Sequence, residues 1–371
     1  MLADLDATYN VYEGYSLSRE RFAQFLIREN IRWPTIDDDP NGKLDLEADT
    51  FRDMAKVHKE KIKPLHDLQT ILSVLKLFEL TVGRDGRNRT TLWPFQPYTG
   101  RNQLGNSKFV FGPDCCFRSL IKPAKGWGVA YLDYKSQEFF VAGVFSRDQR
   151  MIDDYLHDDP YLILGKAAGL MPPDGTKKSH TDERDLCKRC VLATLYGQGE
   201  YSLAIQLNVS PVVARDLQRT FWRRYPTCAA WREDYVWTAI ARGYVETVFG
   251  WRARVSPDFN ARSIQNFPCQ ANSAEMLRLA CDLGTEAGVQ VAAPVHDAVL
   301  ICAPLADLDR NIEKMSGAMR EASRVVLGGY EAIIEVDKIV KYPDRYVDPR
   351  GVEMWGKLMA ALGKAERRGR V

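Results

Sequence analysis

Two apolar stretches that carry an aspartate decide the fold of this chain: Val129-Ala130-Tyr131-Leu132-Asp133-Tyr134 and Val295-His296-Asp297-Ala298-Val299-Leu300-Ile301. The first predicts a buried strand that ends at Asp133, and the second predicts a sharp strand–turn–strand with Asp297 at its tip. A carboxylate that continues an apolar run needs a partner, because burying an unpaired charge costs several kcal/mol. Metal is one such partner and a buried arginine is another. If the two strands are neighbours, the carboxylates form a cradle for two divalent metal ions roughly 4 Å apart.

A basic helix is predicted between these strands, over residues 182 to 196. Four of its residues recur at intervals of four and therefore share one face: Arg184, Lys188, Leu192 and Tyr196. Along the axis, Lys188 and Tyr196 then lie roughly 12 Å apart. The cationic end of this face suits a polyphosphate and its aromatic end suits a base or sugar. A solvated basic face on an amphipathic helix is the alternative.

Composition limits the class of protein without deciding its partners. The 371 residues are enough for two or three domains, and 45% hydrophobic with 27% charged residues is ordinary for a globular protein. A net charge of +2 neither requires nor excludes nucleic acid. The sequence lacks an apolar run of membrane-spanning length and a recognisable signal peptide. The 8 scattered cysteines are too few for a disulfide framework, so a reducing cytoplasm is expected.

The pair Cys187 and Cys190 leaves two interpretations open. A C-x-x-C spacing can supply half of a zinc site, but no second pair of ligands in the sequence completes it. Ordinary buried thiols on an amphipathic helix are the other interpretation.

The order of predicted elements indicates an α+β fold, an antiparallel sheet with helices on one face and a large helical insertion between its strands. Helices are predicted over 49–80 with a break at Pro64, 137–145, 148–170 with a break at Pro160, 182–196, 261–283, 306–327 and 352–362, and further helix follows Gly199 up to Gly243 with breaks around Pro211 and Pro226. Strands are predicted over 127–133, 244–249, 289–292, 299–301 and 332–336. A polar, glycine-rich stretch over 82–102 suits either a phosphate backbone or a solvated loop.

Five motifs, in order along the chain, resemble those of the family A DNA polymerases, the DNA polymerase I family. Leu132-Asp133-Tyr134-Lys135-Ser136-Gln137-Glu138 resembles the first catalytic motif. The spacing of Arg184, Lys188 and Tyr196-Gly197 resembles the second motif, and Val295-His296-Asp297 resembles the third. Arg262-Ser263-Ile264-Gln265-Asn266-Phe267-Pro268-Cys269-Gln270 resembles the helix that touches primer and template, and Thr99-Gly100-Arg101 resembles a DNA-contacting segment before the palm.

The resemblance implies a right-hand polymerase with an antiparallel-sheet palm, a helical fingers insertion and a short helical thumb. The implied division is an N-terminal accessory segment (1–50), thumb (51–98), palm (99–160 and 244–345), fingers (161–243) and a C-terminal helical tail (346–371). The expected activity is template-dependent addition of dNTPs to a primer 3′-OH.

The resemblance also implies roles for individual residues. Asp133 and Asp297 are the implied ligands of two Mg²⁺ ions, which Mn²⁺ can replace, with the Tyr134 carbonyl as a further ligand. Lys188 is implied in catalysis, as the acid that protonates the pyrophosphate. The implied nucleotide-binding residues are Arg184, Lys188, Leu192, Tyr196, Glu138 and Gln137. The implied DNA-binding residues are Thr99, Arg101, Arg262, Asn266, Gln270 and His296.

Four departures from the family pattern modify these expectations: Ala298, Leu192, Lys135 in place of a small polar residue, and a short segment before the palm motif. Ala298 stands where the family usually has a carboxylate, and Leu192 stands where it usually has an aromatic residue facing the sugar. By contrast, Glu138 agrees with the family pattern: it holds the position that excludes a ribose 2′-OH in this family, and the resemblance therefore implies a preference for dNTPs. The segment before Asp133 is too short for a proofreading exonuclease or 5′ nuclease domain. It leaves room for only a short thumb, so low processivity is expected unless a partner protein clamps the DNA. A monomer in the cytoplasm, at the nucleoid, is expected.

Two other functions stay open at this point. A single-subunit RNA polymerase or another nucleotidyltransferase shares the palm, and Glu138 argues against it. A non-catalytic DNA-binding module with a polymerase shape is the second, and the missing carboxylate at Ala298 is what keeps it in consideration.

Overall fold

The computed structural model describes residues 8–14, 16–36, 43–69, 80–104, 109–112, 114–256 and 260–367. The chain divides into two compact units, residues 1–90 with 105–115, and residues 91–104 with 116–371. Among the described residues, no helix has the length and apolar character that crossing a membrane requires.

The first unit has a small aromatic core. Its elements are strands β1 (Tyr12–Glu13) and β2 (Ser16–Leu17), helices α1 (Arg19–Arg28) and α2 (Ala48–Val57), and helical residues 63–69. The ring of Phe51 lies 5.2 Å from that of Phe22 and 4.8 Å from that of Trp33, centroid to centroid. Residues on both sides of position 50 therefore contribute to this one core. The predicted second helix continues into residues 70–79, which lie outside the described residues.

The second unit is built on a four-stranded antiparallel sheet, whose strands are β5 (Trp127–Tyr134), β8 (Gln290–Val295), β9 (Ala298–Pro304) and β10 (Ile334–Lys341). Across the sheet they lie in the order β10-β5-β9-β8. Two smaller pairs join β3 (Leu92–Trp93) to β4 (Gln103–Leu104) and β6 (Tyr244–Glu246) to β7 (Arg252–Arg254).

Helices supply the rest of this unit. They are α3 (Gln137–Ser146), α4 (Gln149–His157), α5 (Pro160–Ala167), α6 (Thr181–Leu195), α7 (Glu200–Leu207), α8 (Pro211–Arg224), α9 (Pro226–Arg242), α10 (Ala261–Glu286), α11 (Leu308–Val326) and α12 (Val352–Arg367). Short 3₁₀ turns cover Cys115–Leu120 and Pro349–Gly351. Helices α5 to α9 occupy the stretch predicted as the helical fingers insertion, residues 161–243.

Alternation along β5 determines which way Asp133 projects. Ala130, Leu132 and Tyr134 are almost completely buried, and the Tyr134 hydroxyl donates a 2.8 Å hydrogen bond to the Met319 carbonyl of α11. Successive side chains of a strand point to opposite faces. Asp133 therefore projects from the face opposite α11, away from the main core.

Local signals fix the ends of the helices that carry the functional residues. Asp159 caps α5 with Pro160 in the first turn, a combination that favours helix initiation. Helix α6 ends at Leu195 with Tyr196 as its C-cap, and Gly197 follows with a φ of +73°, a left-handed conformation that glycine adopts without strain.

All five predicted strands are present with shifted ends: β5 extends to Tyr134, β8 to Val295 and β9 to Pro304, and the other two differ for identifiable reasons. The strand predicted over 244–249 ends at Glu246, because the chain turns through Gly250, which has a φ of +86°. The last strand runs to Lys341 instead of 336, and charged residues beyond Val336 hide it from an apolar pattern. It is an edge strand, where charged side chains are common.

Candidate active site

The two aspartates lie at adjacent strand ends. Asp133 of β5 pairs directly with Ala298 of β9, and Asp297 precedes Ala298 in the turn that joins β8 to β9. The backbone N–H of Tyr134 donates to the carbonyl of Asp297 at 3.4 Å. The structure thus brings the two predicted carboxylates to the same end of the sheet, where β5 ends and β9 begins.

The turn that presents Asp297 contains only His296 and Asp297, because Val295 and Ala298 already pair across the hairpin. His296 has a φ of +56°, which is uncommon for a residue other than glycine. Two-residue hairpin turns require such backbone conformations. The side chain of His296 is exposed.

Nearby cations offset only part of the negative charge of the carboxylate pair. Burial, assisted by the nearby charges of Asp297 and Asp337, raises the pKa of Asp133 to about 8, and Lys188 is the cation that opposes this shift. Burial likewise raises the pKa of Asp297. One oxygen of Asp133, Oδ1, is buried without a hydrogen-bond partner among the described residues. Oxygen ligands with excess negative charge and an unsatisfied acceptor fit a divalent cation such as Mg²⁺.

Glu335 and Asp337 are acidic neighbours that sequence reasoning missed. Glu335 pairs directly with Asp133 across β10 and β5, and Asp337 occupies a bulge between Val336 and Lys338. Glu335 was visible in the sequence at the end of an apolar run. Among the described residues, no three His, Cys, Asp or Glu side chains group closely enough to hold a metal by themselves. Mg²⁺ sites that use one or two carboxylates complete their coordination with water and substrate phosphates.

Two residues hold the basic face of α6: Asp159, the N-cap of α5, and Tyr161 within α5. The sequence did not reveal either of them as functional. The Nε of Arg184 donates a 2.7 Å hydrogen bond to Oδ2 of Asp159. The guanidinium carbon of Arg184 and the Nζ of Lys188 lie 5.2 Å and 5.9 Å from the centre of the Tyr161 ring. The Asp159-Pro160 dipeptide, a helix-start signal, was the available clue.

Glu138 is the centre of a polar cluster. Its Oε1 accepts a 3.1 Å hydrogen bond from the Arg101 guanidinium and another from the Tyr196 hydroxyl. Burial, together with the Glu138 charge, raises the pKa of Tyr196 well above its usual value. Gln270 acts in the opposite direction and lowers the Tyr196 pKa, and the Asn266 amide donates to the Tyr196 carbonyl at 3.4 Å.

The other predicted residues are less closely connected. Leu192 is half-buried, Arg262 is exposed, and Thr99 is buried. Gln137 is 2% exposed, and its Nε2 has no hydrogen-bond partner among the described residues, so its role at a nucleotide stays a prediction. A small pocket beside this cluster is lined by Glu138, Leu195, Tyr196, Arg232, Asn266 and Cys269. Arg232, which is almost completely buried, was also missed.

Cys187 and Cys190 are both completely buried in the main core. Burial raises the pKa of the Cys187 thiol to about 12 and that of Cys190 to about 11. The two residues are therefore protonated and apolar in character, which suits packing and not metal ligation.

The sequence profile of DNA polymerase family A matches residues 50–337. The chain belongs to DNA polymerase family A. It is 25% identical to the thermostable DNA polymerase I of Thermus aquaticus over 305 residues, 77% of this chain and 34% of that protein. It is 26% identical to DNA polymerase I of Lactococcus lactis over 221 residues, 55% of this chain and 25% of that protein. The chain thus matches about a quarter to a third of the length of these curated family A relatives.

The family A assignment agrees with the fold. The polymerase domain of Pol1 from M. smegmatis, solved in complex with DNA primer-template and dNTP, superposes with a TM-score of 0.72 over 91% of this chain and 62% of that chain, at 18% identity. The α+β polymerase fold predicted from the sequence is confirmed: the four-stranded sheet corresponds to the palm and the helical insertion to the fingers. The domain limits derived from the sequence stay predictions.

Proposed function

We propose that this chain is a template-dependent DNA polymerase that adds dNTPs to a primer 3′-OH by two-Mg²⁺ nucleotidyl transfer. The observation that supports it most directly is that Asp133 and Asp297 lie at adjacent strand ends. Lys188 of α6 is the cation whose charge lowers the pKa of Asp133. Two carboxylates that can hold metal ions, together with a basic helix, suit a reaction in which negative charge develops on phosphate oxygens and is stabilised by metal ions and cationic side chains.

Asp133 and Asp297 would hold the metal ions, with the Tyr134 carbonyl as a further ligand. Bound Mg²⁺ lowers the pKa of a coordinated hydroxyl and neutralises charge on the phosphates, and Mn²⁺ has the same ligand preference. Arg184 and Lys188 would bind the triphosphate from the opposite side. Lys188 would also donate its Nζ proton to the pyrophosphate as it leaves.

The polar cluster around Glu138 would select the sugar and the base pair. Glu138 is held by Arg101 and Tyr196, so its carboxylate has a fixed position against which a 2′-OH is excluded. Leu192 and Gln137 would lie at the nucleotide. Thr99, Arg262, Asn266, Gln270 and His296 would contact primer and template, where minor-groove acceptors are alike for every correct pair.

Primer extension with Mg²⁺ on a primed template tests the proposal. We expect Asp297→Asn to reduce extension by at least about a thousandfold, because the developing charge loses a metal ligand. Asp309→Asn changes an exposed carboxylate of α11 and is the matched control, with extension expected to stay near that of the unmodified protein. Full extension by the Asp297→Asn protein would favour the non-catalytic DNA-binding alternative.

The same assay with NTPs separates the RNA polymerase alternative, since preferential NTP use would overturn the choice of dNTPs. We further propose that these residues do not proofread. A primer with a 3′-terminal mismatch should then persist when dNTPs are withheld. Shortening of that primer by the purified chain would contradict this part of the proposal.

A further inference from the structure

The carboxylate of Asp159 uses its two oxygens for two separate tasks. Oδ1 caps α5, accepting hydrogen bonds from the backbone N–H groups of Tyr161 at 2.9 Å and Leu162 at 3.4 Å. Oδ2 accepts the 2.7 Å hydrogen bond from Nε of Arg184. Because the helix cap fixes the carboxylate, the position of Oδ2 is fixed as well.

Arg184 is consequently restrained on two sides. Its side chain is 13% exposed and that of Asp159 is 16% exposed, so the ion pair is largely shielded from solvent. The guanidinium also lies over the ring of Tyr161, 5.2 Å from its centre. The bond to Asp159 uses Nε, and the two terminal nitrogens carry four further N–H donors. NH1 is 3.5 Å from Asp185, whose side chain is 60% exposed.

We propose that Asp159 is a positioning residue that holds the Arg184 guanidinium in the orientation in which its terminal N–H groups meet the incoming triphosphate. This inference rests on the proposed role of Arg184 as a triphosphate ligand. A long arginine side chain loses rotamer freedom when it binds a phosphate, and a side chain that is already fixed has less to lose. The ion pair therefore acts on nucleotide affinity, and Asp159 itself touches no substrate.

Two substitutions separate the ion pair from the helix cap. Asp159→Asn keeps a capping oxygen and turns an amide N–H toward Arg184, and Asp159→Ser keeps a capping hydroxyl but lacks the charge. In steady-state extension we expect both to raise KM for dNTP about tenfold while kcat stays within about twofold, since the lost interaction acts on binding. Asp154→Asn is the matched control, because Asp154 binds Arg224 through hydrogen bonds of 2.6 and 2.7 Å elsewhere in the unit. Its KM should not change.

Equilibrium binding of dNTP to the protein on a primer that ends in a dideoxynucleotide gives a second measurement, which does not depend on turnover. Weaker binding by both Asp159 variants, with the control unchanged, supports the proposal. Unchanged KM and binding in both variants overturn it, as does an equal loss in the Asp154→Asn control. Arg184→Ala separates the two levels: if it does not weaken dNTP binding, the triphosphate role fails, whereas if it alone weakens binding, only the positioning role of Asp159 fails.

Discussion

Asp133 and Glu335 lie directly opposite each other on the paired strands β5 and β10. Side chains of a directly opposed antiparallel pair project from the same face and interact, and like charges there repel. On its other side, Asp133 faces Ala298 of β9. Asp133 therefore has an acidic neighbour on one strand and an apolar neighbour on the other.

This pairing predicts that Glu335→Gln changes the metal-free and the metal-bound protein in opposite directions. Without metal and above about pH 8, where Asp133 is ionised, loss of the repulsion should raise Tm, whereas the apparent affinity for Mg²⁺ should fall because the cradle is less negative. Thermal unfolding at increasing Mg²⁺ concentration measures both effects. Glu313→Gln, on the exposed side of α11, is the control that should leave both unchanged. A lower Tm for Glu335→Gln in chelator would contradict the repulsion.

The raised pKa of Asp133 predicts a pH-dependent stability. The folded protein holds a proton on Asp133 up to a pKa of about 8, whereas an unperturbed aspartate has a pKa of 3.8. Between these values the folded state binds more protons than the unfolded state, so the free energy of unfolding falls as pH rises and levels off above about pH 8. Asp133→Asn lacks this slope, so its Tm advantage in chelator should grow from pH 4 to pH 8. Parallel curves for the two proteins would show that Asp133 ionises normally.

The hydrogen bond between Tyr196 and Glu138 predicts a sugar-selection phenotype. Tyr196→Phe removes the donor but keeps the ring, so Glu138 should be held less firmly. We expect NTP incorporation relative to dNTP to rise about threefold to tenfold, corresponding to about 1 kcal/mol, the net contribution of a typical intramolecular hydrogen bond. Glu138→Ala should raise it further. Competition between a dNTP and the matching NTP in single-nucleotide extension measures the ratio, and an unchanged ratio in both variants would exclude Glu138 as the selecting group.

Leu192 predicts an effect on dideoxynucleotides. It is half-buried and shares the α6 face with Lys188 and Tyr196, the face that we propose binds the nucleotide. Leu192→Phe and Leu192→Tyr should change the ratio of ddNTP to dNTP incorporation, with Leu192→Met as the near-isosteric control. A ratio that stays constant across all three would mean that this helix meets the sugar elsewhere.

The elements that carry the chemistry were predictable because their signals are local. The apolar run before Asp133, the four-residue spacing on α6 and the two-residue turn at His296 each have a distinct period or length. Helix α10 was predicted despite Pro268 within it, since its apolar pattern continues on both sides.

What the sequence did not reveal depends on pairing between distant segments. Glu335 joins the carboxylates only through the register of β10 with β5, and Asp159 reaches Arg184 only through the packing of α5 against α6. The core shared by Phe22 and Phe51 likewise depends on contact between segments that are distant in the sequence. Register and helix packing leave no periodic mark in a single sequence.

The two-residue turn between β8 and β9 limits how this chain can be altered. Asp297 occupies half of that turn, and Val295 and Ala298 are already paired on either side. An inserted residue would change the turn type and displace the carboxylate by about 3.4 Å, one strand residue, and would turn following side chains to the other face. A length change at this hairpin therefore displaces the carboxylate even when Asp297 itself is kept, so libraries built on this scaffold should hold its residue count constant and place insertions in the loop after Leu170 instead.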